Sequence, residues 1–127
     1  VLKLSGNHID FIAEESFNTL IELRTLDLSN NFLEKLEPNL LANTRKLKEV
    51  FLSSNYLTTL TEQHFVNNKG LISIKLDNNQ LVKLDPATFD NLKKLTEVDL
   101  VNNACLDAFY ANKQLNRLNG DIREFCA

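Results

Sequence analysis

The stretch LKEVFLSSN at Leu47–Asn55, continued by YLTTL, decides the fold because it recurs along the chain. Full copies are LRTLDLSNN at Leu23–Asn31, LISIKLDNN at Leu71–Asn79 and LTEVDLVNN at Leu95–Asn103, and a shorter copy, VLKLSGN, begins at Val1. An asparagine ends each copy, and successive asparagines are 24 residues apart: Asn7, Asn31, Asn55, Asn79 and Asn103. A fixed period of this length is typical of stacked repeats.

Each copy alternates apolar and polar residues, which predicts a β-strand. The strands are separated by returns of about 15 residues, long enough for a crossover, so they should lie parallel in one sheet. One unit cannot bury its apolar face alone, but stacked neighbours bury a continuous core. The predicted strands are Leu2–Leu4, Thr25–Leu28, Glu49–Leu52, Ser73–Leu76 and Glu97–Leu100.

The recurring asparagine stands where the chain turns away from the strand. Its amide has two donors and one acceptor, so it can satisfy backbone groups of its own turn and of the adjacent one. Because buried backbone groups must be paired, we interpret the five asparagines as a structural ladder rather than as catalytic residues.

The pattern LxxLxLxxNxLxxL resembles the leucine-rich repeat, and the resemblance extends from Val1 to about Cys105. It implies an α/β solenoid, with a curved parallel sheet on the concave side and short helices and turns on the convex side. The phenylalanine position of that repeat is filled by Phe17, Phe65 and Phe89, and once by Leu41. The next apolar position is filled by Leu20 and Leu92. Thr44 and Asn68 depart from the pattern, so their turns are expected to pack less tightly.

The repeat ends near Cys105, which divides the chain into repeats at 1–104 and a cap at 105–127. The apolar residues Leu115, Leu118, Ile122 and Phe125 then fall at helical spacing, and Gly120–Asp121 suggests a break, so Asp107–Cys126 is predicted to form short helices. Cys105 and Cys126 are either two buried thiols or a disulfide. We favour the disulfide, because a repeat array needs a cap and a bridge would fasten it. The segment resembles the one-disulfide cap of secreted insect leucine-rich-repeat proteins, including mosquito immune proteins.

Composition and motifs exclude several functions. The 14 basic and 17 acidic residues are interspersed, without the clustered basic face of a nucleic-acid-binding protein. No apolar run is long enough to span a membrane. The cysteines form no CxxC pair and lie far from His8 and His64, so no metal site is expected. We found no catalytic constellation or phosphate-binding loop, and we expect neither a cofactor nor an enzyme.

The amino-terminal end is expected to be open. Val1 corresponds to Thr25 in the repeat, so the chain begins within a strand and is interpreted as a fragment, in which no secretory signal is visible. The uncovered first strand predicts a covering element, either an amino-terminal cap that lies outside this sequence or a partner met by self-association.

The residues between the strand leucines should point to the concave face. Most are polar, so a merely solvated sheet is one interpretation. Phe51 in the middle of this face favours recognition, because buried aromatics dominate interface energetics. The predicted partner-binding residues are Phe51, Asp27, Lys75, Lys48, Glu49, Ser53 and Tyr56.

The sequence therefore predicts a non-enzymatic module for protein–protein recognition in a secreted or cell-surface protein of innate immunity or adhesion. Two alternatives remain open. One is a structural spacer or dimerisation segment of a larger protein, and the other is a cytosolic regulatory scaffold.

Overall fold

The computed structural model describes all 127 residues and shows a solenoid of parallel strands. Its main sheet has six strands in the order β1-β2-β3-β5-β7-β8. They are β1 (Leu2–Lys3), β2 (Thr25–Asp27), β3 (Glu49–Phe51), β5 (Ser73–Lys75), β7 (Glu97–Asp99) and β8 (Phe109–Ala111). Two further strands, β4 (Thr59–Leu60) and β6 (Lys83–Leu84), form a separate parallel pair.

The five predicted strands of the repeats are present and parallel, each one residue shorter than predicted at its carboxyl end. Pairing keeps the repeat register, with Val50 opposite Leu26 and Ile74. Hydrogen bonding continues past the assigned ends, since Leu28 N donates to Phe51 O at 2.8 Å. The side chains that share the parity of Val50 lie in one continuous apolar core along the solenoid. The α/β leucine-rich-repeat architecture is therefore confirmed.

The convex side is built from turns and two short 3₁₀ helices, Glu62–Phe65 and Pro86–Phe89. Asp85 caps the second one, as its carboxylate Oδ1 accepts from Ala87 N at 2.9 Å. The rings of Phe65 and Phe89 stack with their centroids 6.2 Å apart. The phenylalanine position of the repeat thus continues the core onto the convex side.

The expectation that Thr44 and Asn68 loosen the packing was wrong. Both side chains are buried, and Asn68 Nδ2 donates to Thr44 O and Leu41 O, each at 3.0 Å. Thr44 Oγ1 in turn donates to Leu41 O at 3.1 Å. These two polar residues replace an apolar contact with a satisfied polar bridge between turns, which holds the convex side together without an unpaired group.

The carboxyl-terminal segment differs from the prediction in two ways. It begins with strand β8, which pairs antiparallel with β7, instead of being wholly helical. It then forms a short 3₁₀ helix, Asn112–Gln114, followed directly by the α-helix α1 (Leu115–Phe125), which runs through Gly120 without a break. A glycine in a helix interior costs only about 1 kcal/mol relative to alanine, so the buried Leu118 and Ile122 outweigh it.

The cap is fastened at both ends. Cys105 and Cys126 form a disulfide, and their backbones bond to the last repeats, Cys105 N to Leu81 O at 2.9 Å and Leu84 N to Cys126 O at 3.0 Å. The buried Tyr110 donates its hydroxyl to Asp121 Oδ2 at 2.7 Å, which joins β8 to α1. The open end of the solenoid is thereby covered by a compact unit.

Candidate interaction face

The recurring asparagines hold successive turns together. Asn55 Oδ1 accepts from Leu33 N at 3.0 Å, and Asn55 Nδ2 donates to Leu28 O at 3.0 Å and Leu52 O at 3.2 Å. Asn31, Asn79 and Asn103 make equivalent bonds. Asn7 is exposed and bonds only within its own turn, to Leu4 O and Ser5 O. The ladder gives the strands a fixed stagger, and this sets the register of the concave face.

A second column accompanies the ladder. The residue before each asparagine has a positive φ, and this column contains Gly6, Asn30, Ser54, Asn78 and Asn102. Glycine and asparagine tolerate the left-handed region best, and four of the five positions hold one of them. The column turns the chain sharply at the end of every strand, so each turn presents its strand at the same angle.

Phe51 lies at the centre of the concave face. Its strand partners are Asp27 on one side and Lys75 on the other, both of them among the predicted partner-binding residues. Its side chain is half-buried, and Lys75 Nζ lies over its ring, 5.6 Å from the centroid. This cation–π contact explains how an aromatic ring is kept on a polar sheet, and it leaves part of the ring accessible.

Two of the predicted partner-binding residues lie close to Phe51 on this face. Glu49 Oε1 accepts from Thr25 Oγ1 at 3.1 Å, and Ser53 Oγ donates to Asp77 Oδ1. The structure thus places Glu49 on the strand of Phe51 and Ser53 just after that strand, and each is bonded to a side chain of a neighbouring turn.

The other two predicted residues are placed elsewhere. Lys48 Nζ lies beside Gly70, in the turn before β5. A β-carbon added at Gly70 would be 3.2 Å from that nitrogen. Tyr56 lies at the rim in an exposed aromatic row, 6.2 Å from the ring of Phe32, which is itself 5.2 Å from the ring of His8. Lys48 and Tyr56 are therefore not neighbours of the Phe51 ring.

The sequence analysis missed Phe109, which the antiparallel strand β8 adds to the same face. Phe109 pairs with Asp99 and Ala111 with Glu97, so both point to the concave side. Phe109 remains 44% exposed. The only signal was the alternation in FYA, with Tyr110 inward, and three residues are too few for a strand to be distinguished from a turn.

The face is rich in carboxylates that are bonded but not ion-paired. Asp27, Glu49, Asp77, Glu97 and Asp99 accept hydrogen bonds from hydroxyl or amide donors. The two ion pairs of the molecule, Lys35–Glu37 and Lys46–Glu22, lie outside this face. Burial raises the pKa of Asp99 above its usual value, opposed by the hydrogen bond from Val101 N. Hydrogen bonds therefore orient these carboxylates, and none of them forms a salt bridge.

Hydrogen bonds hold the ring of His64 on the convex side. His64 is buried, and its Nδ1 accepts from Thr61 N at 3.0 Å. Its Nε2 therefore carries the proton and donates to Leu36 O, also at 3.0 Å. The ring ties two convex turns together. No group of three histidine, cysteine, aspartate or glutamate residues could hold a metal ion, and no helix is long and apolar enough to cross a membrane.

Comparison with known families agrees with this architecture. The family described as leucine rich repeat matches residues 1–57 and 45–104. The chain belongs to the leucine-rich repeat family. No curated protein matches it.

Solved structures of related architecture come from larger proteins. The leucine-rich repeat domain of APL1B matches at TM-score 0.79 with 27% identity, over 81% of this chain and 30% of that one. A TLR13–ssRNA13 complex matches at 0.75 with 29% identity, over 81% and 14%. A Toll–Spatzle complex, called a molecular hub in Drosophila development and innate immunity, matches at 0.70 with 30% identity, over 72% and 12%. The chain therefore spans less than a third of the length of each.

Proposed function

We propose that this chain is a non-enzymatic recognition module whose concave face binds a protein partner. The observation that carries the proposal is Phe51, an aromatic side chain that is half-buried at the centre of the sheet and flanked by opposite charges from Asp27 and Lys75. Aromatic anchors at the centre of an interface supply most of its binding energy. A leucine-rich repeat is a scaffold for such contacts, and every buried side-chain nitrogen or oxygen atom here has a hydrogen-bond partner within the protein.

We further propose that the parent protein acts outside the cell, in innate immunity or adhesion. The Cys105–Cys126 disulfide supports an oxidising compartment. The match to a Toll–Spatzle complex, described in terms of innate immunity, supports the immune assignment. The proposed division into repeats at 1–104 and a cap at 105–127 is supported by the family match, which ends at residue 104.

An array of the extracellular proteins of the source organism, probed with purified chain, tests the proposal. A binder is expected that loses about 30-fold in affinity with Phe51→Ala, which corresponds to about 2 kcal/mol. Phe125→Ala is the matched control, because Phe125 is 56% exposed on α1, away from the concave face. The thermal unfolding midpoint should hardly change in either variant.

Two results would contradict the proposal. Binders that ignore Phe51→Ala would show that the concave face is not the interface. An array without any binder would favour a structural spacer, and sedimentation of the chain would then show whether it instead pairs with a second copy.

A further inference from the structure

We propose that the face between Phe51 and Phe109 binds an extended, basic peptide segment of the partner, with a lysine or arginine between two apolar side chains. This proposal rests on the concave face being the interface, and it names the chemistry of the partner. It depends on Phe109, which the cap adds to the repeats, so that repeats and cap together form one binding surface.

The two aromatics stand in one row across the sheet. Phe51 is paired with Lys75, Lys75 with Asp99, and Asp99 with Phe109. Three strand spacings of about 4.8 Å separate Phe51 from Phe109, so the two anchors are about 14 Å apart. An extended chain rises about 3.4 Å per residue, and its side chains at i and i+4 lie on one side at nearly the same separation. An extended segment that crosses the strands therefore fits both anchors.

The middle of such a segment meets a face that attracts a cation. Its side chain at i+2 falls between Lys75 and Asp99, about 7 Å from the first anchor. Lys75 already lies over the Phe51 ring, whereas Asp99 has one carboxylate oxygen bonded to Val101 N and no protein group on the other. Glu97, on the same strand, is held by Ser73 Oγ through one oxygen. A long basic side chain can reach both carboxylates.

The overall charge of the face points the same way. The ionisable side chains of this face are five carboxylates and two lysines: Asp27, Glu49, Asp77, Glu97 and Asp99, together with Lys75 and with Lys3, which pairs with Asp27. The resulting charge of −3 equals that of the whole chain, so the rest of the molecule is formally neutral. A nucleic acid would be repelled by this face, because its affinity depends on cations that neutralise phosphates. A basic protein segment is the complementary occupant.

Selection from a phage-displayed library of random dodecapeptides on the immobilised full chain tests the proposal. Enriched peptides should carry apolar residues at i and i+4 with lysine or arginine at i+2. Their affinity should fall at least about tenfold with Phe109→Ala and severalfold with Asp99→Asn, and high salt should reduce the effect of Asp99→Asn. Phe125→Ala and Asp10→Asn, which alter exposed residues outside this face, are the controls.

The outcomes separate this proposal from the broader one. Peptides that lose binding with Phe51→Ala but keep it with Phe109→Ala and Asp99→Asn would overturn the basic-segment proposal and leave the concave interface standing. Acidic or charge-free consensus peptides would also overturn it. Peptides indifferent to all three variants, or no enrichment, would count against both.

Discussion

Leu33 and Asn55 link two adjacent turns of the solenoid through a buried hydrogen bond, in which Leu33 N donates to Asn55 Oδ1 at 3.0 Å. Replacing Asn55 by leucine removes this acceptor and the donors to Leu28 O and Leu52 O. A buried backbone group left unpaired costs about 1 to 3 kcal/mol, so Asn55→Leu should lower the free energy of unfolding by that amount. Chemical denaturation of the purified variant measures it.

A suitable control for that change is Asn43→Leu, at an exposed turn position with no side-chain bond in the structure. Asn78, the residue before the ladder asparagine Asn79, is unsuitable as a control. Its φ is 57°, and its side chain bonds to Asn102 and Asp77, so leucine would add backbone strain there. Equal losses from Asn55→Leu and Asn43→Leu would contradict the ladder.

Ser54 offers a stabilising change, since it is the serine in the column of positive φ. Asparagine tolerates this region better, and in the next turns Asn102 Nδ2 donates to Asn78 Oδ1 at 2.7 Å. We expect Ser54→Asn to raise the free energy of unfolding by about 0.5 kcal/mol. Ser16→Asn, in an exposed turn outside that column, should have no such effect in the same thermal melts.

The disulfide should stabilise the cap through the chain it closes. The cysteines are 21 residues apart in sequence, and loop entropy predicts a contribution of roughly 3 kcal/mol. A Cys105→Ala, Cys126→Ala double variant should lose about this much in urea unfolding. Alkylation of the unfolded, unreduced wild type should label neither cysteine. Labelling of both would instead show two free thiols and weaken the extracellular assignment.

Tyr110 predicts a loss of stability at high pH. Burial raises the pKa of its hydroxyl above the usual value, and the hydrogen bond to Asp121 adds to this shift. Above about pH 10 the unfolded tyrosine loses its proton while the folded one keeps it, so stability falls as pH rises. Tyr110→Phe should cost about 1 kcal/mol at neutral pH and make the alkaline decline shallower. Tyr56→Phe, at the exposed rim, should leave the decline unchanged.

The ionised side chain of Asp99 on the concave face is expected to lower the stability of the fold. Since burial raises the pKa of this carboxyl in the folded state, its ionised form opposes folding at neutral pH. Asp99→Asn should therefore raise the free energy of unfolding at pH 7 by up to about 0.5 kcal/mol. The gain should shrink as pH falls through the folded pKa, where wild-type Asp99 is protonated. A gain that persists in acid would contradict this origin.

Much of the fold could be predicted because the pattern that sets strand direction and stacking register occurs several times in the sequence. The parity of Leu26 and Leu28 relative to Asp27 fixes which side of the strand faces the core, and the recurrence of Asn31 fixes the stacking register. The central row from Asp27 through Phe51 to Lys75 follows from that register alone. Local pattern and tertiary packing agree here, so periodicity was sufficient.

The prediction failed where the pattern occurs once. Strand β8 is three residues long and exists because β7 offers an unpaired edge, a tertiary cause that FYA does not reveal. Gly120 was taken as a helix break because its intrinsic preference was visible and the packing of α1 was not. Thr44 and Asn68 were judged singly, whereas they are satisfied as a pair. Phe109 was missed because it lies on β8, which could not be predicted from these three residues alone.

The bonds of the ladder also bear on how the length of such a chain can change in evolution. Every turn meets its neighbour through the same atoms, so deleting 24 residues in register, for example Leu47–Gly70, would bring Asn79 against Leu28 O in the place of Asn55. A duplication would be accommodated in the same way, whereas a gain or loss that is not a whole number of 24-residue repeats would unpair several backbone groups. The deletion would also remove Phe51 and set Asp27 beside Lys75. Ancestral copies could therefore be gained or lost whole without unfolding the array, and each such event would change which side chains the concave face presents to solvent.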